Sequence, residues 1–491
     1  MAGGSGASLG AMSDEPEVVT VSLISHTNVG KTTLARTLLR RDVGEVEDRA
    51  HVTLSNDRFA LIEAGGARLD LYDTPGLGDT ARLLRRLRGQ SNPVGWFLSQ
   101  VWDRMANRAL WSTQQAIRNV REEAEVVLYL VNAAETPEDA GYVGLELDLL
   151  AWLERPVLVL LNQMGPPAHI GGAAGTSPEP LETVWRRHTA PWPIVRDVLP
   201  LDAFSRCWVQ EGELFERILP LLDPARRPIL LRCLEAWTAR NRTLFHASMD
   251  RLAAYLARAA ADRESFDAEA WRPGHVRAQA MQRLQGRLEQ ATRALIDELA
   301  ATHGLAGRST HVLAEIFREG AAPGVLRLTP AQGATAAAIV SGAVTGLAAD
   351  LAVGGLTFGG GALLGAVLGA LGGAAFAKGV EVVQGPRETA VTWSATLLNE
   401  LFRHAVLHYL VVAHYGRGRG PWADRELPAA WAGLVARAAA PCEPRLVPLW
   451  RAIASAGAAD DKTGPRLAAI VTECATSALS TAYPSAAQVL G

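Results

Sequence analysis

Lysine is almost missing from this chain, with three residues against 45 arginines in a length of 491. Arginine meets nearly every need for positive charge, so a retained lysine marks a place that a planar guanidinium does not suit. Cysteine is sparse too. Cys207, Cys233, Cys442 and Cys474 lie far apart and form no CxxC or Cys/His spacing, which argues against a structural zinc and fits reduced thiols in a cytosolic compartment. There is no basic excess: the formal net charge is -3, so no broad positive field faces a nucleic-acid backbone. The first 17 residues lack both a positive start and an apolar run, and read as a flexible tail rather than a signal peptide. No Ser-His-Asp or paired-carboxylate constellation stands out, and His404, His408 and His414 share no tight metal spacing with carboxylates, so they are expected in the core or on the surface. The length itself exceeds one ordinary core and suggests about three domains.

What is present begins with one of the three lysines. "ISHTNVGKTTL" (24–34) follows the phosphate-loop pattern of Gly, four residues, Gly-Lys-[Ser/Thr], except that Ser25 stands in the first place. The residues of the cradle are Ser25, His26, Thr27, Asn28, Val29, Gly30, Lys31, Thr32 and Thr33. "VVTVSLI" (18–24) before it has strand composition, and "TTLARTLLRR" (32–41) after it has helical spacing with Leu34, Thr37 and Leu38 on one side. Strand, loop and helix aim backbone N–H groups and a helix N-terminus at phosphates. The compact ammonium of Lys31 suits the bridge between β- and γ-phosphates, and Thr32 suits a magnesium ion. The first glycine mainly permits a tight turn, so a serine with negative φ weakens the motif without abolishing it.

A second motif supports the first. "LDLYDTPGLGD" (69–79) puts Asp73, Thr74, Pro75 and Gly76 at the end of an apolar strand, 42 residues beyond Lys31. An aspartate there holds Mg²⁺ through water, and the Gly76 N–H touches a γ-phosphate and reports its loss. Between the motifs, "GEVEDRAHVTLSN" (44–56) carries Thr53, which reaches the metal as a switch threonine or is an ordinary strand-edge residue.

These three motifs resemble the TrmE-Era-Septin class of translation-factor-related GTPases over roughly residues 18–222. The chain as a whole resembles bacterial GTPases with a C-terminal domain of unknown function, family 3482, through "HTNVGKTTLARTLLRRDVGEVEDR", "LYDTPGL", "LLNQ" and "DAFSRCWVQE" (202–211). The resemblance implies GTP as substrate and Mg²⁺ as cofactor. It also exposes departures. Guanine is usually selected by Asn-Lys-x-Asp, but "PVLVLL" (156–161) is followed by Asn162, Gln163, Met164 and Gly165, so the selective carboxylate is missing and ATP is a competitor. The later base-contacting loop falls at Asp202 and Ala203, where Asp202 either replaces that carboxylate or caps a helix. Leu77 stands where Ras-like enzymes place a water-orienting glutamine. GTPases sharing this loop recruit a potassium ion through the residue at Asn28, whose other role is to brace the loop. Intrinsic turnover is expected to be slow.

"VVLYLV" (126–131) and "PVLVLL" complete a mostly parallel sheet with helices on both faces, an α/β class. Residues 80–124 form a helical insertion, either a face for a partner or for a homodimer through the G domain, or a solvated helix with a Trp-filled inner side. Beyond about 223 the pattern turns largely all-α. Leu230, Leu234, Trp237, Leu252 and Leu256, then Met281, Leu284, Leu288, Ala291, Leu295 and Leu299, describe two antiparallel helices of a stalk (223–328) broken at "RPGH" (272–275). Residues 329–384 hold a Gly/Ala-rich hydrophobic hairpin. Its central stretch, 333–379, belongs to a run from Leu328 to Ala377 whose one charge is Asp350, with glycines at 361, 365, 369 and 373. Two membrane-spanning helices with Arg318, Arg327, Lys378 and Arg387 on the cytoplasmic side are the favoured reading, and a soluble buried hairpin the other. Residues 385–491, including 388–416, read as further helices. Two functions follow: a membrane-associated GTP switch on the cytoplasmic side of the inner membrane, acting on its helical region, the bilayer or a membrane protein, or a membrane-hairpin scaffold that binds GTP or ATP with little hydrolysis. A purely cytoplasmic location is the alternative to membrane attachment.

Overall fold

The computed structural model describes residues 16–27, 29–40, 57–77, 80–88, 91–99, 108–163, 180–201, 207–267, 275–304, 380–384, 388–414 and 429–484. The N-terminal part builds a six-stranded sheet from β1 (Glu17–Ser25), β2 (Asp57–Ala64), β3 (Ala67–Asp73), β4 (Val126–Asn132), β5 (Val157–Asn162) and β6 (Val195–Pro200) in the order β2-β3-β1-β4-β5-β6. Only β2 runs antiparallel. Strands β4 and β5 are apolar without alternation because both faces are covered, which is what made them readable as strands. Strand β1 has β3 on one side and β4 on the other, so the chain leaves it in opposite directions and a crevice opens at its C-terminal end. The register Leu23↔Asp73 sets the end of β3 beside the loop that follows β1.

Helix α1 (Lys31–Leu39) packs on one face, burying Leu34, Thr37 and Leu38 as their spacing predicts. The other face carries α2 (Thr80–Leu87), α3 (Pro93–Ser99), α4 (Arg108–Glu122), α5 (Tyr142–Ala151) and α6 (Leu181–Thr189). The insertion 80–124 is therefore part of the domain. Among the described residues its inner side is filled by Leu83, Leu84, Leu87, Phe97, Ile117 and Val120, with half-buried Trp96 packed against them.

Helices α7 (Trp208–Ile218), α8 (Arg227–Ala261) and α9 (His275–Thr302) follow. The contacts Ser248–His303, Tyr255–Thr292 and Asp262–Arg287 keep a nearly constant sum of residue numbers, so α8 and α9 are antiparallel. Two expectations are corrected. Helix α8 ends at Ala261, well before "RPGH", because Asp262 turns extended and is held by Arg287 at 2.8 Å. Nor does α8 stand off as a stalk: it lies against β1, β2 and β3, with Arg226 bonded to Glu125 at 2.6 Å and Arg232 paired with Glu17.

The C-terminal part is largely helical but holds a sheet that the sequence reading lacked. Strands β7 (Arg263–Asp267), β8 (Val380–Gln384) and β9 (Glu388–Trp393) form an antiparallel sheet in the order β7-β9-β8. The helix expected over 388–416 thus starts as a strand. Ser394 accepts a bond from the Leu397 N–H at 3.3 Å and caps α10 (Ala395–Ala413). Helices α11 (Ala429–Ala439), α12 (Glu443–Ala456) and α13 (Thr463–Ala482) are the last elements among the described residues. His408 and His414 are buried in α10 and at its end, where burial pushes their imidazoles down to about 3 and about 4. An aromatic seam of Trp208, Phe215, Trp237, Phe245 and Tyr409 joins α7, α8 and α10 into the core that covers one sheet face. Among the described residues no helix is long and apolar enough to cross a membrane, and the glycine-rich segment 333–379 lies outside them.

Candidate functional site

The loop after β1 closes over the end of the sheet and turns into α1 at Gly30, whose φ of 97° is left-handed and suited to glycine. A methyl group there would stand 3.0 Å from the Asn162 amide nitrogen. That amide, fully buried at the end of β5, donates to the Val29 carbonyl at 2.7 Å. Asn162 therefore underpins the phosphate loop.

Ser25 is buried, and its hydroxyl does two jobs: it donates to the His26 carbonyl and accepts from Lys31 Nζ at 3.1 Å. Loss of the first glycine is thus absorbed by a side chain that faces inward. Lys31 is buried, and desolvation holds its ammonium below the usual lysine range against the pull of Asp73 and Glu146. Thr32 Oγ1 donates to Asp73 Oδ2 at 2.8 Å. Burial pushes the Asp73 carboxyl up to about 6, opposed by Lys31 and by the Thr32 bond. Its other oxygen, Oδ1, is buried and has no hydrogen-bond partner among the described residues. A hydroxyl and a carboxylate with a spare buried oxygen are the hard donors that Mg²⁺ takes, so the residues fit that ion.

Gly76 closes the far wall. A methyl group there would lie 3.1 Å from Thr27 Cγ2 and 3.3 Å from Lys31 Nζ, so its backbone passes directly over the loop. Thr74 is tied to the Leu23 carbonyl at 2.8 Å, and the Leu77 N–H donates to the Ser25 carbonyl at 2.9 Å. Leu77 is buried among apolar side chains of the second face and orients no water. Thr33 is buried in the first turn of α1.

Of the expected site, Ser25, His26, Thr27, Val29, Gly30, Lys31, Thr32, Thr33, Asp73, Gly76 and Asn162 gather at one end of the sheet. Asn28, Thr53, Asp202 and Ala203 lie outside the described residues. A group that sequence reasoning missed sits behind the loop: Glu146 of α5, fully buried, reaches His26 Nδ1 at 2.6 Å and accepts from the Tyr129 hydroxyl at 2.7 Å. The available signal was a carboxylate on the stripe of Val143, Leu147 and Leu150.

Comparison with known proteins agrees with this geometry. Residues 20–163 match the family described as 50S ribosome-binding GTPase, and residues 196–433 match the domain of unknown function DUF3482. Among solved structures the chain is similar to Era in complex with MgGDPNP and a 16S ribosomal RNA segment (19% identity, TM-score 0.29, 43% of this chain). It spans only 58% of the length of that Era chain. It is also similar to a variant of Aquifex aeolicus Era bound to GDP·AlF4⁻ (17%, TM-score 0.29, 57% of this chain and 90% of that one). A third is mGMPPNP-bound NFeoB from S. thermophilus (13%, TM-score 0.23, 60% and 87%). No curated protein matches the chain. The chain carries a GTP-binding P-loop GTPase domain followed by the domain of unknown function DUF3482.

Proposed function

We propose that this P-loop GTPase domain hydrolyses GTP slowly with Mg²⁺ and uses the nucleotide state to act on its own helical region. The observation that carries the reading is the Thr32–Asp73 contact with its spare buried oxygen, set beside Lys31 under the Gly76 backbone. In this reading Lys31 bridges the β- and γ-phosphates, Thr32 and Asp73 hold Mg²⁺ with Thr53 added from the intervening segment, and the Gly76 N–H meets the γ-phosphate. Asn28 binds a potassium ion that substitutes for the glutamine absent at Leu77, and Asp202 with Ala203 borders the base. Coupling to the helical region is supported by α1. Its first turn faces the phosphates, and Arg40 at its other end bonds Asn241 on α8 and pairs with buried Glu211 on α7 at 3.7 Å.

Single-turnover hydrolysis tests this. GTP should be cleaved faster than ATP, and faster in potassium than in sodium. Tight binding with no cleavage of either nucleotide would favour the scaffold reading instead. A membrane role is supported by the nearly charge-free run 328–377. If that run inserts, at the cytoplasmic face of the inner membrane, the protein sediments with membranes and resists carbonate until 333–379 is replaced by a Gly/Ser linker. Recovery of the intact protein wholly in the detergent-free soluble fraction would refute insertion.

A further inference from the structure

The buried carboxylate behind the phosphate loop has no part in the chemistry above. Glu146 occupies a position of α5 whose neighbours on the stripe, Val143, Leu147 and Leu150, are apolar core, so packing alone asks for a leucine there. A buried carboxylate is costly unless its oxygens are hydrogen-bonded or paired. Both are used: Oε2 takes the Tyr129 hydroxyl of β4, and Oε1 takes the His26 ring nitrogen at 2.6 Å. The His26 ring stacks on Tyr142 of α5 at 4.4 Å between centroids, 27° between planes. On its other side the loop is held by backbone, through the Leu77–Ser25 bond and the His26–Leu77 bridge. The first turn of the loop is thus clamped from two directions, by the segment that carries Gly76 and by α5. The next residue, Thr27, is the one against which Gly76 rests.

We infer that Glu146 is a positioning residue for nucleotide binding: acting through His26, it fixes the first turn of the phosphate loop before the nucleotide arrives. A loop held in its bound conformation spares the ligand the entropy of ordering it, so the clamp acts on affinity. This rests on the nucleotide-site reading above.

Three variants separate positioning from mere packing. His26→Phe keeps the ring on Tyr142 and loses the hydrogen bond, while His26→Asn returns an N–H donor close to the place of Nδ1. Glu146→Leu fills the apolar stripe and removes the carboxylate. GTP affinity by calorimetry should fall about fivefold in His26→Phe and in Glu146→Leu, the size of one net hydrogen bond, with less change in turnover at saturating GTP. His26→Asn should bind within about twofold of the native protein. Native affinity in both His26→Phe and Glu146→Leu, or equal losses in His26→Phe and His26→Asn, would overturn the inference while leaving the nucleotide site standing. A native protein that binds no GTP would remove the site reading and this inference with it.

Discussion

Asp73→Asn is expected to make the nucleotide-free protein more stable at pH 8 and to abolish the magnesium dependence of nucleotide binding. The reason lies in the burial of the carboxyl, which raises it from an ordinary value of 3.8 to about 6, with Lys31 and the Thr32 hydrogen bond pulling the other way. The sign follows from linkage. Below pH 3.8 the group is protonated in both folded and unfolded chains and costs nothing. Between there and about 6 the folded chain holds the proton more tightly, and above 6 both states are ionised and the folded chain carries the full cost of the buried charge. Stability is therefore lost as pH rises through this window, by on the order of 2–3 kcal/mol. Asparagine keeps an oxygen for Thr32 without the charge. Thermal melts of both proteins at pH 8 and pH 4.5 check this: the variant melts higher at pH 8, and the gap narrows at pH 4.5. Adding Mg²⁺ and GTP at pH 8 reverses the order, because the native carboxylate then has a cation to hold. A variant that melts below the native protein at pH 8 without nucleotide, or a gap independent of pH, would contradict the account. The site thus stores instability that its ligand relieves, the usual cost of a preorganised functional centre.

Much of this centre was legible in the sequence because its determinants are local. Strands β4 and β5 are covered on both faces and so read as unbroken apolar runs. The loop and the "DTPG" turn carry their identity in consecutive residues. What escaped notice depends on pairing at a distance. Strand β9 finds its partner β7 more than 120 residues away, as in Asp267↔Glu388, and its own six residues run directly into α10 with nothing but the Ser394 cap to mark the change. The end of α8 is fixed by Arg287 of the opposing helix, so the break opens earlier than proline and glycine at 273–274, which stand just before α9 begins at His275. The support that Asn162 gives the loop depends on distance in the same way: its motif position points to the base, and it takes the fold to bring its amide beneath the Val29 carbonyl as well. Glu146 was invisible as a site residue because its partner His26 stands 120 residues earlier.

Lys31→Ala should weaken GTP binding at least tenfold, or about 1.4 kcal/mol, and Lys31→Arg should fail to restore it. Lys31 is the one cationic side chain that the loop sequence 24–34 brings to the phosphates apart from what His26 supplies when protonated, and it is already held at 3.1 Å from Ser25 Oγ. Its charge also faces two buried carboxylates, Asp73 and Glu146, and both raise the lysine's hold on its proton against desolvation. Truncation leaves those carboxylates facing an incoming polyanion with less to offset them, so repulsion adds to the lost bridge. Arginine keeps the charge but not the shape. Gly76 passes so close over the ammonium that even a methyl group at that residue would lie 3.3 Å from Nζ, and a planar guanidinium is wider than the ammonium it would replace. The chain's own composition points the same way, since it uses arginine almost everywhere else and lysine here. Calorimetry with GTP in magnesium separates the outcomes: loss in both variants is the expected result. Native affinity in Lys31→Ala would dissolve the site assignment, and native affinity in Lys31→Arg would mean that the cradle selects charge alone.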